Sequence, residues 1–465
     1  MLSLHDGRRG MHRRRFLTIG GLGIAGVTLP SLLAARALAQ EAGPLSGRSV
    51  IFLFQQGGPS QFETFDPKMD APDGVRSVTG EIPTTLPGIT FGSTMPRLAE
   101  RAHKLTLLRS FHTNNAGHNI QPIVGPDSRE TNIGAHFARV AGATRPASGV
   151  PTNAVLFPSA VDPNVPKPQA RGDLSSTGDY GKGFAPFVPG AGGQLQSDMQ
   201  LRLAPERFGE RRALLGQLDR LNRAVDRGGE VSGVDDIQRQ AYEVLLGGGV
   251  SRALDLSLED AATFDSYDTG AFAREGRWNK VSRGRSGYYS SEAKTIGHLL
   301  LMARRLCEAG CGFVTIHAGY AGVWDMHADG NNLNMLDGME AVGRSFDHAV
   351  AAFIDDLEAR GLSDRILLVA TGEMGRTPKI NKNGGRDHWS RLAPLLLYGG
   401  GLPGGQVIGQ SDRLGGEPAG DAYGPRHLIA TILQSVFDVG QLRLVSGVPQ
   451  PLLELAQAEP LPLFA

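Results

Sequence analysis

Two short stretches of the sequence combine carboxylate and imidazole side chains at spacings that suit a metal ion. Asp325 and His327 are separated by one residue, and Asp387 and His388 are adjacent. Carboxylate oxygens and imidazole nitrogens are ligands for zinc and manganese, and carboxylates suit magnesium. A metal ion held there could polarise an ester oxygen or activate a water molecule. A plainer alternative stays open, because an Asp-x-His sequence in a loop also forms a turn with a hydrogen-bonded histidine.

Other polar residues could handle an anion beside such a metal ion. Backbone amides after Gln56 could cradle an oxyanion, and two arginines could clamp phosphate or sulfate with paired N–H groups. A tight turn at Gln56 and a Glu373–Arg376 ion pair are the structural alternatives. The predicted catalytic residues are Glu373, Arg376 and His118, and the predicted substrate or oxyanion residues are Gln56, Gly57, Asn115 and Arg386.

These candidates follow apolar runs that predict strands buried on both faces of a sheet. The predicted strands cover residues 49–54, 105–108, 154–157, 313–316, 366–370 and 394–398. In a parallel sheet, ligands bind beyond the carboxyl ends of the strands. Five of the twelve histidines fall in the segments near these ends, namely His112, His118, His317, His327 and His388. The sequence therefore predicts a site at this edge of the sheet.

Amphipathic helices are predicted between the strands. Apolar residues recur at helical spacing within 214–225, 296–303 and 339–357. Strands that alternate with helices indicate a mostly parallel sheet with helices on both faces. Residues 157–205, 228–234 and 265–287 are predicted to be loops, so a loop-rich insert covers about 157–290. Because predicted strands lie on both sides of the insert, we expect a single α/β domain over residues 40–465.

Composition and charge argue against several classes of protein. Hydrophobic residues make up 40% of the 465 residues and charged residues 20%, which is enough apolar material for a packed core. Lys and Arg together balance Asp and Glu at 47 each, but residues 1–39 contain six of the arginines and one aspartate. The remainder has 41 basic and 46 acidic residues. This mildly acidic body predicts no nucleic-acid partner.

Residues 1–39 have the organisation of a signal peptide. Three arginines at 13–15 precede a weakly hydrophobic stretch rich in Gly and Ala, and Ala37-Leu38-Ala39 fits a cleavage site. Twin arginines indicate the Tat pathway, whose machinery is then a partner. The alternative is a retained N-terminal anchor, but the stretch is short and contains Pro30, so we expect no stable membrane span after processing. The predicted location is periplasmic or otherwise outside the cytoplasm.

Three sets of motifs resemble an uncharacterised, Tat-exported, sulfatase-like "domain of unknown function" family of the alkaline phosphatase and sulfatase superfamily. They are QGGPS at 56–60 with TFDPK at 64–68, WDMH at 324–327, and TGEMGRTP at 371–378 with GRDHW at 385–389. The resemblance covers essentially the whole chain after the signal peptide. It implies an alkaline-phosphatase-like fold, a three-layer α/β/α sandwich with a mostly parallel central sheet.

The resemblance also implies a function and a ligand set. Asp325 and His388 match one metal site, which His327 would complete, with Asp387 as a further candidate ligand. The superfamily's second metal site would fall near Gln56 and Met374, which are poor ligands for a hard cation. We therefore expect one divalent ion, zinc or manganese in the first place, with magnesium or calcium as alternatives. The expected activity is hydrolysis of phosphate or sulfate esters of small molecules or glycans. A binding protein for sulfated or phosphorylated glycans, or a phosphoryl or sulfuryl transferase, are the alternatives.

Overall fold

The central strand of the sheet places its apolar side chains into two separate cores. In β1 (Ser49–Phe54), Ile51 and Leu53 face one core, whereas Phe52 and Phe54 face the other. Successive side chains of a strand point to opposite faces, so a continuous apolar run is buried on both sides. The computed structural model describes residues 43–146, 148–190, 248–273, 283–317 and 322–463.

Seven strands form the main sheet in the order β11-β4-β10-β7-β1-β6-β5, and two hairpins, β2-β3 and β8-β9, lie outside it. Every strand of the main sheet runs in the same direction except β10, which is antiparallel to both of its neighbours. The strands after β1 are β2 (Glu81–Pro83), β3 (Thr90–Gly92), β4 (Thr106–Leu108), β5 (Asn153–Leu156), β6 (Phe313–His317), β7 (Ile366–Thr371), β8 (Gly375–Arg376), β9 (His388–Trp389), β10 (Leu395–Gly399) and β11 (Gln406–Ile408).

Helices cover both faces of the sheet. They are α1 (Pro96–Glu100), α2 (Ile133–Ala141), α3 (Gly249–Leu254), α4 (Ala261–Ser266), α5 (Arg283–Glu308), α6 (Met335–Gly338), α7 (Arg344–Ala359), α8 (Pro425–Val436), α9 (Val439–Leu442) and α10 (Gln450–Ala456). A π-helical segment, Met339–Gly343, joins α6 to α7. Helices α5 and α7 pack together over the face that contains Ile51, and α2, α8 and α10 cover the face that contains Phe52. The predicted α/β class and its layering are confirmed.

The six predicted strands agree with the structure to within one or two residues, but the edge strand β11, the hairpins β2-β3 and β8-β9 and the direction of β10 were not predicted. The edge strand β11 has only three residues, which is too short to be recognised, and nothing in the sequence of β10 marks its reversed direction. The predicted loop at 265–287 is wrong in part, because α5 already begins at Arg283. The predicted signal peptide and the helix at 214–225 lie outside the described residues, as do 191–247 and 274–282 of the insert. Within the described ranges, no helix is both long and apolar enough to cross a membrane.

Candidate metal centre

The carboxylate of Asp325 lies at the centre of a cluster at the carboxyl edge of the sheet. Its Oδ2 is 3.0 Å from Nε2 of His118 and 3.0 Å from Nε2 of His327. Its Oδ1 is 3.1 Å from Nε2 of His388 and 2.7 Å from Nη2 of Arg376. The side chain of Asp325 is only 6% exposed. Three imidazoles and one guanidinium therefore converge on one buried carboxylate.

A close approach between two loops holds Asp325 in this position. The loop after β6 carries Asp325, and its Trp324 N–H donates to the carbonyl of Gln56 in the loop after β1, at 3.4 Å. Gly57 has φ +120°, and a Cβ atom there would lie 2.6 Å from the backbone nitrogen of Asp325. Only glycine combines this conformation with this contact. The Gln-Gly-Gly sequence thus serves to bring the two loops together.

The β8-β9 hairpin brings His388 to the centre. Arg376 of β8 pairs with His388 of β9, so two of the side chains that contact Asp325 are register partners. Adjacent residues of an extended chain point in opposite directions, and Asp387 is exposed and accepts a hydrogen bond from Asn381 at 3.1 Å. The structure therefore brings His388 into the cluster but not Asp387, although the two are adjacent.

His118 connects Asp325 to a second buried carboxylate. Its Nδ1 is 2.9 Å from Oε1 of Glu373, which follows β7 and has no exposed side-chain surface. Burial opposes a charge on His118, but hydrogen bonds to Asp325 and Glu373 outweigh it and raise its pKa to about 9. Burial raises the pKa of Glu373 despite its hydrogen bonds.

The charge on Asp325 is strongly stabilised. Burial alone would raise its pKa, but the positive charge of Arg376 and the imidazole hydrogen bonds outweigh burial and hold the pKa well below its ordinary range. Asp325 is therefore a carboxylate at any physiological pH. An ionised carboxylate is the form that binds a metal ion.

His118, Asp325 and His388 each offer a ligand atom, and these atoms lie within 4.8 Å of one another. The hydrogen bonding of His388 fits a metal ion. Its Nδ1 lies 2.9 Å from the carbonyl of Ala116 and must be the donor, because a carbonyl only accepts. In the neutral ring, Nε2 then directs a lone pair at an oxygen of Asp325, so a proton or a metal ion must lie between them.

The predicted ligand set included His327 in place of His118. His327 contacts Asp325 but lies outside the group of His118, Asp325 and His388.

Both predicted anion-binding arginines are directed into the protein. Arg376 is fully buried; besides Asp325, it donates to the carbonyls of Gly57, Gly58, Trp324 and Arg386. Arg386 is also fully buried, pairs with Glu63 at 3.1 Å and stacks over the ring of Phe62. Every guanidinium nitrogen of the two residues is engaged within the chain. We therefore correct the predicted roles of Arg376 and Arg386 as clamps for substrate.

The predicted oxyanion residues are also occupied by other groups of the chain. Gln56 donates from Nε2 to the carbonyl of Asn119 at 2.5 Å, and its Oε1 lies 2.8 Å from Nε2 of His317. The Gly57 N–H donates to the Glu373 carboxylate at 2.8 Å. Asn115 contacts Asn119 at 3.0 Å. These contacts place all three predicted residues near the centre and assign them to its support.

Sequence reasoning missed Asn332, which contacts the centre directly. Its Nδ2 lies 3.2 Å from Oδ2 of Asp325 and 2.9 Å from Nε2 of His327, and its side chain is buried. The only signal was a polar run, Asp329 to Asn334, soon after the Asp-x-His sequence. Such runs are common in exposed loops, so the pattern alone could not single out Asn332.

The chain has distant similarity to several solved structures. The PsFucS1 sulfatase from Pseudoalteromonas sp. is 11% identical, with 82% of this chain and 70% of that chain covered and a TM-score of 0.33. The lipoteichoic acid synthase LtaP from Listeria monocytogenes is 8% identical, with 83% and 71% covered and a TM-score of 0.30. The phosphonate monoester hydrolase SpPMH from Silicibacter pomeroyi is 11% identical, with 83% and 72% covered and a TM-score of 0.29. Similarity at this level carries no information on activity.

None of the curated proteins matches the chain. A family model does match, over residues 47–444, and its description is "Protein of unknown function (DUF1501)". The matched region contains all seven strands of the main sheet and every residue of the centre. The chain therefore belongs to the DUF1501 family.

Proposed function

We propose that the protein is an exported, metal-dependent hydrolase of phosphate or sulfate esters. The observation that carries this proposal is the convergence of His118, Asp325 and His388 on one point at the carboxyl edge of the sheet. Parallel α/β sheets bind their ligands at this edge. Two nitrogen ligands and one oxygen ligand favour zinc or manganese over magnesium or calcium.

The residues around the three ligands support a metal centre in ways that do not depend on its reaction. Glu373 accepts a hydrogen bond from Nδ1 of His118, and the carbonyl of Ala116 accepts one from Nδ1 of His388. Such partners of ligating histidines fix the tautomer and the ring orientation. A metal ion bound there would supply positive charge to an ester oxygen and lower the pKa of water. Arg376 keeps Asp325 ionised and in place.

A binding protein for sulfated or phosphorylated glycans is the second candidate. Two observations favour it. Arg376 and Arg386, the predicted clamps, have no guanidinium nitrogen left for a substrate. Gln56 and Met374 occupy the positions where the resemblance places a second metal site, and both are fully buried.

Export through the Tat pathway is part of the proposal and is supported by the sequence of residues 1–39. Replacing Arg13 and Arg14 together by Lys should leave the precursor in the cytoplasm, because the Tat receptor reads this pair. Fractionation of a Tat-competent host, with Arg8 and Arg9 replaced by Lys as the control, measures the effect. Periplasmic accumulation of the Arg13/Arg14 variant equal to the wild type would exclude this route.

Metal analysis together with an ester panel tests the central proposal. We expect about one equivalent of zinc or manganese in protein exported in folded form, lost in His118→Ala and His388→Ala. His103 is exposed and precedes β4, whereas the centre lies beyond the carboxyl ends of the strands, so His103→Ala is the matched control. Turnover of an aryl phosphate or aryl sulfate that disappears with the metal supports the hydrolase. Metal binding without turnover of any ester favours the binding protein, and wild type without metal refutes the metal centre.

A further inference from the structure

A cavity of about 480 Å³ lies next to the metal centre, at the carboxyl edge of the sheet. One wall is the loop after β4, which supplies Gln121 and also Asn119, the residue that follows His118. The other wall is the segment after β5, which supplies Arg171. The N–H of Arg171 donates to Oε1 of Gln56 at 3.3 Å, and Nε2 of Gln56 donates to the carbonyl of Asn119. The wall of the cavity is therefore one residue away from a candidate metal ligand.

A glycine lets the two walls of the cavity meet. Gly172 has φ +143°, and a Cβ atom there would lie 2.6 Å from Cγ1 of Ile120 on the opposite wall. Ile120 is packed in the core and cannot move away, so a larger residue at position 172 would push the walls apart. Ile120 and Val124 give the cavity buried apolar surface, whereas Arg171 and Asp173, on either side of Gly172, line it and are exposed.

The polar side chains of the lining have hydrogen-bonding capacity left over. Among the described residues, none forms a hydrogen bond or ion pair with the guanidinium of Arg171, the carboxylate of Glu130 or the side-chain amide of Gln121. Asp173 uses only Oδ1, which accepts from Ser175. One positive charge thus stands with two negative charges, which suits neither an anion nor a divalent cation. A hydroxyl group both donates and accepts, so this mixture of donors and acceptors suits a ligand with several hydroxyls.

We infer that the cavity binds an uncharged sugar residue of a glycan whose neighbouring ester group reaches the metal centre. A sugar ring combines hydroxyls with apolar C–H faces, and the lining combines polar groups with Ile120 and Val124. The volume falls in the range of small-molecule sites, about 300–1,000 Å³. The inference rests on the proposed function and deepens it, because it names an oligosaccharide ester as the substrate class. Arg171 is then a specificity residue, supplied by the predicted insert.

Binding of neutral trisaccharides tests the cavity without turnover and without a bound metal ion. The probes are cellotriose, maltotriose, mannotriose, laminaritriose and xylotriose, each measured by saturation-transfer NMR. We expect at least one to bind, and Arg171→Ala and Glu130→Gln each to weaken it about tenfold, since each removes a charged hydrogen-bonding group. Lys167 is exposed in the same segment and does not line the cavity, so Lys167→Ala is the matched control. If no trisaccharide binds, or if Arg171→Ala binds as tightly as the wild type, the inference is wrong.

Paramagnetic relaxation tests whether the bound sugar lies beside the metal centre. In protein loaded with manganese, the protons of the trisaccharide should relax faster than in protein loaded with zinc, because only manganese has unpaired electrons. Equal relaxation in a sample whose manganese content is confirmed would place the sugar elsewhere and overturn the inference. A protein that takes up no manganese or zinc would refute the proposed metal centre instead, and the trisaccharide measurement would still decide whether the cavity binds sugar.

Discussion

Arg376 and Asp325 form an ion pair at the carboxyl edge of the sheet, with Nη2 2.7 Å from Oδ1 and no exposed surface on the arginine. The same guanidinium donates to backbone carbonyls of the loops that follow β1 and β6, and to the carbonyl of Arg386. One side chain therefore joins three loops and holds the central carboxylate in its charged form. A planar group with five N–H donors can do this, and an ammonium cannot.

Arg376→Lys should therefore destabilise the fold. The lysine keeps the positive charge but leaves several buried carbonyls without a donor, and each buried acceptor left unpaired costs about 1–3 kcal/mol. Denaturant unfolding measures the loss, with Arg391→Lys as the control because Arg391 is 53% exposed in a surface ion pair. Equal stability of Arg376→Lys and the wild type, with turnover alone reduced, would restore the role in catalysis that the sequence predicted.

Much of this arrangement could be predicted from the sequence because the strands are buried on both faces. Their apolar runs mark where each strand ends, and so which polar segments meet at the carboxyl edge. Glu373, Asp325 and Gln56 were placed at the same edge for this reason. The third member of the candidate metal centre could not be predicted. His118 reaches Asp325 because hydrogen bonds hold its loop against a segment that is distant in the sequence. The backbone N–H groups of Thr113 and Asn114 both donate to the carbonyl of Ser390.

The roles of the arginines could not be predicted for a related reason. Arg386 stands in a polar Gly-Arg-Asp-His sequence that suits an anion site, and its true partner, Glu63, is 323 positions away in the chain. Nothing in the local pattern shows that a guanidinium is directed inward. Residue types and strand ends thus locate a site, whereas the direction of each long side chain depends on the packed structure.

Glu373→Gln should weaken metal binding without abolishing it. Glu373 accepts from Nδ1 of His118 and from the Gly57 N–H, so it orients a ligand from outside the metal's own coordination shell. Replacing such a carboxylate typically costs about 10- to 100-fold in metal affinity. Zinc titration measures the change, and Glu417→Gln, at an exposed site, is the control. An unchanged zinc affinity would show that Glu373 does not orient His118.

The stability of the metal-free protein should fall as the pH rises from about 6.5 to about 9. The pKa of His118 is raised from 6.5 to about 9, so between these values the folded chain keeps a proton that the unfolded chain releases. The proton on His118 therefore contributes its full stabilisation below about pH 6.5, and this contribution is lost as the pH rises through about 9. Because a metal ion replaces this proton, added zinc should reduce the fall.

Chemical unfolding of chelator-treated protein across this window measures the effect. The wild type and His103→Gln should both show the fall, and His118→Gln should lack it. An identical pH profile in His118→Gln would mean that another group binds the proton, and the contacts of His118 with Asp325 and Glu373 would then not set its pKa.

Glu292 on α5 should impose a second pH dependence that is independent of the metal centre. Its side chain is buried, and its Oε2 has no hydrogen-bond partner in the part of the chain that the structure describes. Burial raises its pKa from 4.5 to about 8. The folded chain therefore keeps this proton while the unfolded chain releases it above pH 4.5, so stability declines as the pH rises towards 8.

Glu292→Gln, which is neutral at every pH, should be more stable than the wild type at about pH 9 and similar to it near pH 4. Unfolding curves at both pH values measure the difference, with the surface variant Glu454→Gln as the control. If Glu292→Gln were no more stable than the wild type at about pH 9, the carboxyl of Glu292 would already be ionised in the folded protein.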